Sequence, residues 1–286
     1  MIVSISGPSG FIGSALRRKM NEKGWTIRRI DRQSFSLSDE EFRKTLIEGS
    51  QVVIHLAGAP LSKRWTPQYK TEIYNSRIAT TQKVVKAILE AEQKPSVLLS
   101  SSAIGIYDSS HSHTESSGNL SDSFVGKLCH AWETEAMKAA GTVRVVLCRT
   151  GLVLGKNGGV LEKMYLPFSI GAGAKVGNGS QPISFIHLDD LVDAFIFAIE
   201  NQEISNVVNC VSPYPTTNAE FSETLGQSLK QPVWFTVPAF AIKLIYGEGA
   251  VLLLEGQNVV PEKLMQAGFR FRYPTIRNAL TRVYRA

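Results

Sequence analysis

The sequence predicts an α/β fold, in which a doubly wound parallel sheet is covered by helices and followed by a smaller C-terminal α/β domain. Three observations lead to this prediction. Short apolar runs alternate with amphipathic segments through the first half of the chain, which is typical of alternating strands and helices. Prolines become frequent from residue 213 onward. The 286 residues, 43% of them hydrophobic, can form one large or two modest domains.

Each repeat of the pattern begins with an apolar run that we interpret as a buried strand. The predicted strands are residues 2–6, 25–30, 51–56, 96–100, 143–148 and 206–210. The predicted helices are residues 11–23, 38–47, 66–92, 124–139 and 189–199. Ser38 followed by Glu41 matches a capping box, which favours a helix start at that point. Residues 158–179 are rich in glycine and are predicted to loop over one edge of the sheet.

The frequent prolines after residue 212 predict two domains. Residues 1–212 would form a nucleotide-binding domain, and residues 213–286 would form a small domain that closes the substrate cleft. No low-complexity linker separates the two parts. We therefore expect them to share an interface.

Composition argues against several kinds of partner. The formal net charge is +6, and the arginines of the C-terminal tail are scattered among aromatic and aliphatic residues, so we expect no nucleic acid partner. No apolar stretch approaches the ~20 residues of a membrane span. The N-terminus lacks the basic segment of a secretory signal. The prediction is a cytoplasmic protein, monomeric or homodimeric, without membrane association.

Neither the cysteines nor the histidines suggest a metal centre. The three cysteines, Cys129, Cys148 and Cys210, are widely spaced, which favours buried thiols over a disulfide framework. His111 and His113 lie in a serine-rich loop with Glu115 but without a further histidine or cysteine nearby, so a surface loop is predicted there. No metal site is expected.

A glycine motif connects the first predicted strand to the first predicted helix. Gly7, Gly10 and Gly13 follow the pattern GxxGxxG, with Phe11 and Ile12 inside it. Glycine lets the backbone turn sharply and lets a pyrophosphate approach the free N–H groups at the helix N-terminus. The strand before the motif and the helix after it supply the context that this motif requires. These residues therefore predict a dinucleotide site.

The end of the second strand carries both signals for cofactor choice. Asp31 lies near the spacing expected of the acid that binds a ribose 2′-hydroxyl and favours NAD. Arg32 would instead pair with a 2′-phosphate and favour NADP. The choice between NAD(H) and NADP(H) stays open. Leu56, Ala57 and Gly58 close the next strand and form the natural second wall of the cleft, whereas His55 before them is interpreted as a core histidine.

Taken together, these motifs resemble those of the extended short-chain dehydrogenase/reductases, the NAD-dependent epimerase/dehydratase group. The resemblance rests on Gly7–Gly13, His55–Gly58, Ser100–Ala103 and Phe185–Asp190. A narrower resemblance, to an atypical epimerase-like subfamily with a small C-terminal domain, whose members are sometimes labelled cell-division inhibitors, rests on Arg64-Trp65-Thr66, Ser76-Arg77, Trp132-Glu133, Arg149-Thr150-Gly151, Leu154-Gly155, Asn218–Phe221 and Gly268–Pro274.

The resemblance implies a Rossmann-type domain that binds NAD(P), with a substrate cleft beside it. It also implies that Glu72 and Arg77 flank the cofactor and that Val153 lies near the nicotinamide. Members of the subfamily usually carry a small polar residue before the arginine and commonly use NADP(H). Asp31 departs from that pattern.

The catalytic residues usual in the family are absent from this sequence. Extended members use a tyrosine with a lysine four residues later, and alignment on Glu133 places Val125 and Cys129 at those positions. Ser102 occupies the position of the family serine that holds the substrate oxygen, although it could be a polar strand end. Tyr107 is the nearest tyrosine in sequence and is a candidate for proton transfer, with a structural role as the alternative. Lys127 and His130 are weaker candidates.

Three further residues are candidates for substrate binding. Arg64 beside Trp65 could clamp an anionic or nucleotide substrate, and a packing role is the alternative. His187 could line the cleft, or it could cap the helix that follows, with Asp189 and Asp190 in its first turn.

Two hypotheses follow. The first is an NAD(P)-dependent oxidoreductase or epimerase-like enzyme that transfers hydride to or from a small polar, nucleotide-sugar-like substrate. The second is a non-catalytic NAD(P)-binding redox sensor, which the missing tyrosine and lysine favour.

Overall fold

The computed structural model describes residues 1–285, and its centre is a six-stranded parallel sheet. The strands lie in the order β2-β1-β3-β4-β6-β11, and they are β1 (Ile2–Ser6), β2 (Thr26–Ile30), β3 (Val52–His55), β4 (Val97–Ala103), β6 (Arg144–Thr150) and β11 (Asn206–Cys210). The chain leaves β1 for β2 on one side and crosses to β3 on the other. This crossing creates a topological switch point at β1 and β3, where ligands bind in such sheets.

Helices connect these strands, and short strands form small sheets beside them. The helices are α1 (Phe11–Glu22), α2 (Asp39–Phe42, continued by a π-turn over Arg43–Ile47), α3 (Pro67–Glu90), α4 (Phe124–Met137), α5 (Gly159–Ser169), α6 (Leu188–Glu200), α7 (Asn218–Ser228), α8 (Ala239–Tyr246), α9 (Val251–Leu254), α10 (Glu262–Gln266) and α11 (Ile276–Arg285). The short strands are β5 (Ser112–His113), β7 (Leu152–Leu154), β8 (Ala174–Val176), β9 (Pro182–Ile183), β10 (Phe185–His187), β12 (Thr216–Thr217), β13 (Phe235–Val237) and β14 (Asn258–Val259).

Helix starts follow from local capping residues. The Thr66 hydroxyl accepts a hydrogen bond from the Tyr69 N–H at 3.2 Å, and Pro67 occupies the first helical position of α3. The Ser38 hydroxyl caps α2 in the same way by accepting from the Glu41 N–H. The predicted starts of both helices are confirmed to within a residue.

The central sheet has a helical layer on each face. Helices α1 and α6 pack on one face, where Leu16 and Phe195 are fully buried. Helices α3 and α4 cover the other face, where Val84 and Ala136 are fully buried. Burial on both faces explains the apolar runs of inner strands such as β3 and β6. The predicted doubly wound α/β fold is confirmed.

The C-terminal part packs against the segment that follows β6. Phe221 of α7 and Leu280 of α11 are buried against Leu161 and Phe168 of α5. The predicted glycine-rich loop over residues 158–179 is therefore wrong in its first half, where α5 forms. Leu161 and Phe168 lie seven residues apart, on the same side of that helix, and their burial stabilises it.

None of the helices in residues 1–285 is both long and apolar enough to cross a bilayer.

Candidate cofactor and active site

The loop between β1 and α1 has a shape that only glycine accommodates at two positions. Gly7 has φ of +68°, and a Cβ there would lie 3.1 Å from the Leu56 carbonyl oxygen. A Cβ on Gly13 would lie 2.2 Å from the Gly7 carbonyl oxygen. The Gly10 N–H donates to that same oxygen at 3.2 Å, which closes the turn. The loop thus brings the N-terminus of α1 to the switch point with its backbone uncovered.

The wall opposite the loop is held in place by a buried serine. Ser6, at the end of β1, accepts hydrogen bonds at its hydroxyl from the Leu56 N–H at 3.0 Å and the Ala57 N–H at 3.2 Å. The same hydroxyl lies 2.7 Å from His55 Nδ1. Burial lowers the pKa of His55 to about 4, and the charge of Arg77 adds to this effect. His55 is therefore a neutral core histidine, as predicted.

At the end of β2, the two residues that bear on cofactor choice point to different neighbours. The Asp31 carboxylate pairs with Arg29 at 3.2 Å. The Arg32 side chain is 95% exposed, and its nearest carboxylate is that of Glu72, 4.0 Å away. The Arg32 guanidinium is therefore accessible to an anion despite this long contact with Glu72, while the charge of Asp31 is partly neutralised by Arg29.

Arg77 is a buried cation beside the cleft wall. Its guanidinium donates to the carbonyl oxygens of Ile73 and Ala59, each at 3.1 Å, and lies over the Trp132 ring. A Cβ on Gly58 would lie 3.0 Å from the Arg77 Cζ. No carboxylate within residues 1–285 pairs with this guanidinium, and burial lowers its pKa. A buried charge without a counter-ion is costly, which favours a role in binding an anionic ligand.

Ser102 begins a buried polar network. Its hydroxyl donates to Glu133 Oε1 at 2.6 Å. Arg149 donates to both oxygens of that carboxylate, from Nε at 2.8 Å and from Nη2 at 2.7 Å. Burial alone would lower the pKa of Arg149, but the hydrogen bonds and charge of Glu133 outweigh it and raise that pKa. The hydroxyl of Ser102 thus has its proton engaged and its lone pairs still available.

Tyr107 lies at the other end of this network. The Arg149 Nη1 donates to the Tyr107 hydroxyl at 2.8 Å, and that hydroxyl lies 2.9 Å from Asn209 Oδ1. The His113 ring stacks on the tyrosine with centroids 4.6 Å apart. Tyr107 is fully buried, and burial raises the pKa of its phenol despite the opposing charge of Arg149.

The helix positions of the missing catalytic pair are filled by apolar packing. Val125 and Cys129 of α4 are both buried, and a Cβ on Gly105 would lie 2.6 Å from Val125 Cγ1. Burial, with the nearby charge of Glu133, raises the pKa of the Cys129 thiol to about 12. Neither side chain can act as an acid or base near neutral pH.

The predicted substrate residues lie in two places. Trp65 is buried, donates its indole N–H to the Leu61 carbonyl oxygen at 3.0 Å, and packs against Gly249. Arg64 is exposed, and its guanidinium reaches the Leu244 carbonyl oxygen at 3.4 Å. His187 lies instead at the start of α6, where its Nδ1 accepts from the Asp189 N–H at 3.1 Å. The capping role considered for His187 is confirmed.

Phe11 of α1 and Val153 of β7 both lie beside the glycines of the segment that follows β7. A Cβ on Gly158 would lie 2.2 Å from Phe11 Cδ2, so this glycine allows the backbone to cover the ring. The Val153 carbonyl oxygen lies on the same side, 3.2 Å from a Cβ placed on Gly159. Ile12 is half-buried and packs against the core of that face.

The network residues Glu133, Arg149 and Asn209 were not predicted as site residues. The signal that could have found them is a charged or amide side chain within an apolar strand or helix, since burial of such a group requires a partner. Arg149 and Asn209 are each such a residue, in β6 and β11.

The doubly wound sheet, the switch point and the uncovered glycine loop define a dinucleotide-binding α/β protein of the Rossmann type. Comparison with known proteins identifies the family within this class. Residues 3–210 match the model of the NAD dependent epimerase/dehydratase family, and residues 237–283 match a domain of unknown function, DUF1731. The chain belongs to the NAD dependent epimerase/dehydratase family. The predicted family resemblance and NAD(P) class are confirmed.

Relatives match along nearly the whole chain. The chloroplastic homologue of the epimerase family protein SDR39U1 from Arabidopsis thaliana is 39% identical, over 98% of this chain and 86% of its own. The mouse SDR39U1 protein is 34% identical, over 98% of each. The crystal structure of human SDR39U1 with NADPH superposes with a TM-score of 0.92 at 30% identity, covering 100% of this chain and 99% of that one.

A UDP-N-acetylglucosamine 4-epimerase from Bacillus cereus, at 16% identity and a TM-score of 0.79, covers 99% of this chain and 98% of its own and shows the shared fold alone.

Proposed function

We propose that the protein is an NADP(H)-dependent oxidoreductase or epimerase-like enzyme that transfers hydride to or from the carbinol carbon of a small polar substrate, of the nucleotide-sugar class. The observation that carries the proposal is the glycine loop at the switch point. The two glycines whose Cβ atoms would meet backbone oxygens leave the first turn of α1 open to a pyrophosphate.

The choice of NADP(H) over NAD(H) rests on the end of β2. Arg32 is exposed, and its contact with Glu72 is long, at 4.0 Å, whereas Asp31 pairs with Arg29 at 3.2 Å. An exposed guanidinium pairs well with a 2′-phosphate, and a partly neutralised carboxylate repels that phosphate less. The human relative crystallised with NADPH supports the same choice.

The residues of the cleft fit a dinucleotide. Gly7, Gly10 and Gly13 would hold the pyrophosphate, Leu56 and Ala57 would form the opposite wall, and Arg77 would supply a positive charge beside Gly58. Glu72 and Val153 would flank the bound cofactor. The nicotinamide, when bound, accepts or donates the hydride.

Ser102 is the residue that we assign to the substrate oxygen. Because its proton is donated to Glu133, its hydroxyl can accept a hydrogen bond more readily than donate one. A carbinol hydroxyl can donate that bond, and a ketone cannot. The geometry therefore favours binding of the alcohol form of the substrate.

Arg64 and Trp65 contact the segment around residues 244–249, through the Leu244 carbonyl oxygen and Gly249. In the proposal, Arg64 would pair with a phosphate of the substrate, and Trp65 would hold this segment in place.

The test uses transfer of deuterium. The protein is incubated with NADP⁺ and a panel of sugar nucleotides deuterated at their carbinol carbons, and mass spectrometry measures deuterium gained by the nicotinamide. The proposal predicts transfer with at least one member of the panel and a loss of at least tenfold in Ser102→Ala. Ser101→Ala, the matched control on the same strand, should retain the rate. Absence of transfer throughout the panel would contradict the proposal.

A second candidate is a redox sensor that binds the cofactor without turnover. The observation that favours it is the replacement of the usual acid and base by Val125 and Cys129, both buried. For this candidate the cofactor binds tightly, no deuterium is transferred, and Ser102→Ala changes nothing that the assay measures.

A further inference from the structure

A cavity of about 370 Å³ lies outside the cofactor cleft. It is bounded by one side of α1, by the segment 155–157, by the start of α6 and by α11. Phe11 is the only residue of the proposed cofactor set that lines it. Arg77 lies on α3, in the helical layer on the other face of the sheet.

One wall of this cavity is formed by a buried imidazole with a free donor. His187 Nδ1 accepts from the Asp189 N–H, so a neutral ring carries its proton on Nε2. Only 4% of His187 is exposed, and no group within residues 1–285 accepts a hydrogen bond from Nε2. Burial, together with the charges of Arg282 and Arg272, lowers the pKa of His187 to about 4 against the opposing charge of Asp189. The ring is therefore a neutral donor, and its Nε2 is accessible from the cavity that His187 lines.

The charges around this donor are mostly positive. Arg18, Lys156 and Arg282 line the cavity, and Asp189 is the carboxylate among the lining residues. Asp189 lies 3.8 Å from Arg282, which offsets part of its charge. In the described chain Arg18 and Lys156 form no ion pair within 4 Å. The Ser14 hydroxyl and Asn157 add further neutral hydrogen-bonding groups.

We propose that this cavity is a binding site for a small phosphate monoester. Guanidinium and ammonium groups bind a phosphoryl dianion through charge-assisted hydrogen bonds, and His187 Nε2 supplies a neutral donor in the cavity wall. The volume is near the lower end of the range for ligand pockets, which suits a sugar phosphate better than a dinucleotide. The site is additional to the proposed hydride-transfer function and does not depend on it.

The test is calorimetric titration with glucose 6-phosphate and with inorganic phosphate, at constant ionic strength, and with glucose as the uncharged control. Each titration is run on NADPH-free and NADPH-saturated protein. We expect saturable binding of both phosphates in both states and none of glucose. The NADPH-free arm tests the site even if the protein binds no nucleotide, so failure of this proposal is distinguishable from failure of the proposed function.

Variants assign the binding to this cavity. Arg282→Gln and Arg18→Gln should each weaken binding of glucose 6-phosphate at least tenfold, whereas Arg277→Gln, the same change at an exposed position of α11 outside the cavity, should leave it unchanged. His187→Ser retains a capping oxygen for the Asp189 N–H, removes the Nε2 donor, and should also weaken binding. The proposal is overturned by absence of saturable binding, by competition with NADPH, or by equal weakening in Arg277→Gln.

Discussion

Arg149 of β6 holds Glu133 of α4 through two parallel hydrogen bonds, of 2.8 and 2.7 Å, and both side chains are less than 10% exposed. This bidentate pair connects the proposed substrate residue Ser102 on one side with Tyr107 on the other. The orientation of the Ser102 hydroxyl therefore depends on a buried ion pair between a helix and a strand of the sheet.

Removing the charge of Glu133 should destabilise the protein strongly. Glu133→Gln leaves the Arg149 guanidinium buried without its counter-ion, and breaking a buried pair in this way costs about 3–5 kcal/mol. Urea unfolding measures the change. Glu135→Gln on the same helix, whose partner Lys138 is largely exposed, is the control and should cost under about 1 kcal/mol. Equal effects of the two substitutions would show that the buried pair contributes no special stability.

Tyr107→Phe separates a structural role from a catalytic one. The substitution removes a hydroxyl that accepts from Arg149 and lies beside Asn209, so we expect a loss of about 1–3 kcal/mol in unfolding free energy. Because the phenol is fully buried within the network, we expect the rate of deuterium transfer per folded protein to be unchanged. A rate lowered by tenfold or more would assign proton transfer to Tyr107.

Gly13→Ala should weaken cofactor binding by at least tenfold. The added Cβ would lie 2.2 Å from the Gly7 carbonyl oxygen, so the loop must move away from the geometry that receives a pyrophosphate. Fluorescence titration with NADPH measures the effect. Gly118→Ala, where a Cβ meets no atom within 4 Å, is the matched control and should bind like the unmodified protein. Unaltered affinity in Gly13→Ala would show that the cofactor does not use this loop.

The buried His55 predicts a definite pH dependence of stability. Its pKa is lowered by burial from 6.5 to about 4 in the folded state, so between these values the unfolded chain takes up a proton that the folded protein does not. The stabilisation of the folded protein by its neutral His55 is complete above pH 6.5 and is lost as the pH falls toward 4. The free energy of unfolding changes by about 3 kcal/mol over this range.

Unfolding free energies measured across this pH range, in the protein and in His55→Asn, check the assignment. The slope should decrease in His55→Asn and persist in His130→Gln, a substitution at an exposed histidine. If the unfolding free energy of His55→Asn changed with pH as steeply as that of the unmodified protein, the assignment of this pH dependence to His55 would be contradicted.

The parts of the fold that sequence predicted are those specified by local signals. Helix α3 was predicted over 66–92 and extends over Pro67–Glu90, because its capping threonine, proline and apolar spacing are all local. Helix α5 was missed because Gly158 and Gly159 indicated a loop. These glycines instead allow close packing of the backbone on the Phe11 ring, a contact between residues almost 150 positions apart that no local pattern reveals.

The residues of the candidate site also fall into a group that local sequence predicted and a group that it did not. The glycine loop and the residues that follow β2 and β3 could be predicted, since each lies at a strand end and its geometry depends on its neighbours in sequence. The network could not be predicted, because Tyr107 meets Asn209 across 102 positions and Ser102 meets Glu133 across 31. Which partner a buried polar side chain finds is decided by the register of β4, β6 and β11.

The most direct test measures how tightly the nucleotide-free protein binds NADPH and NADH. Each nucleotide is titrated into the unmodified protein and into Arg32→Gln, with nicotinamide fluorescence as the signal. We predict that NADPH binds at least tenfold more tightly than NADH and that Arg32→Gln removes most of that preference, while Arg277→Gln keeps it. Tighter binding of NADH, or a preference that survives Arg32→Gln, would contradict the assignment of Arg32 as the residue that selects the 2′-phosphate. Failure to bind either nucleotide would contradict the proposed function itself.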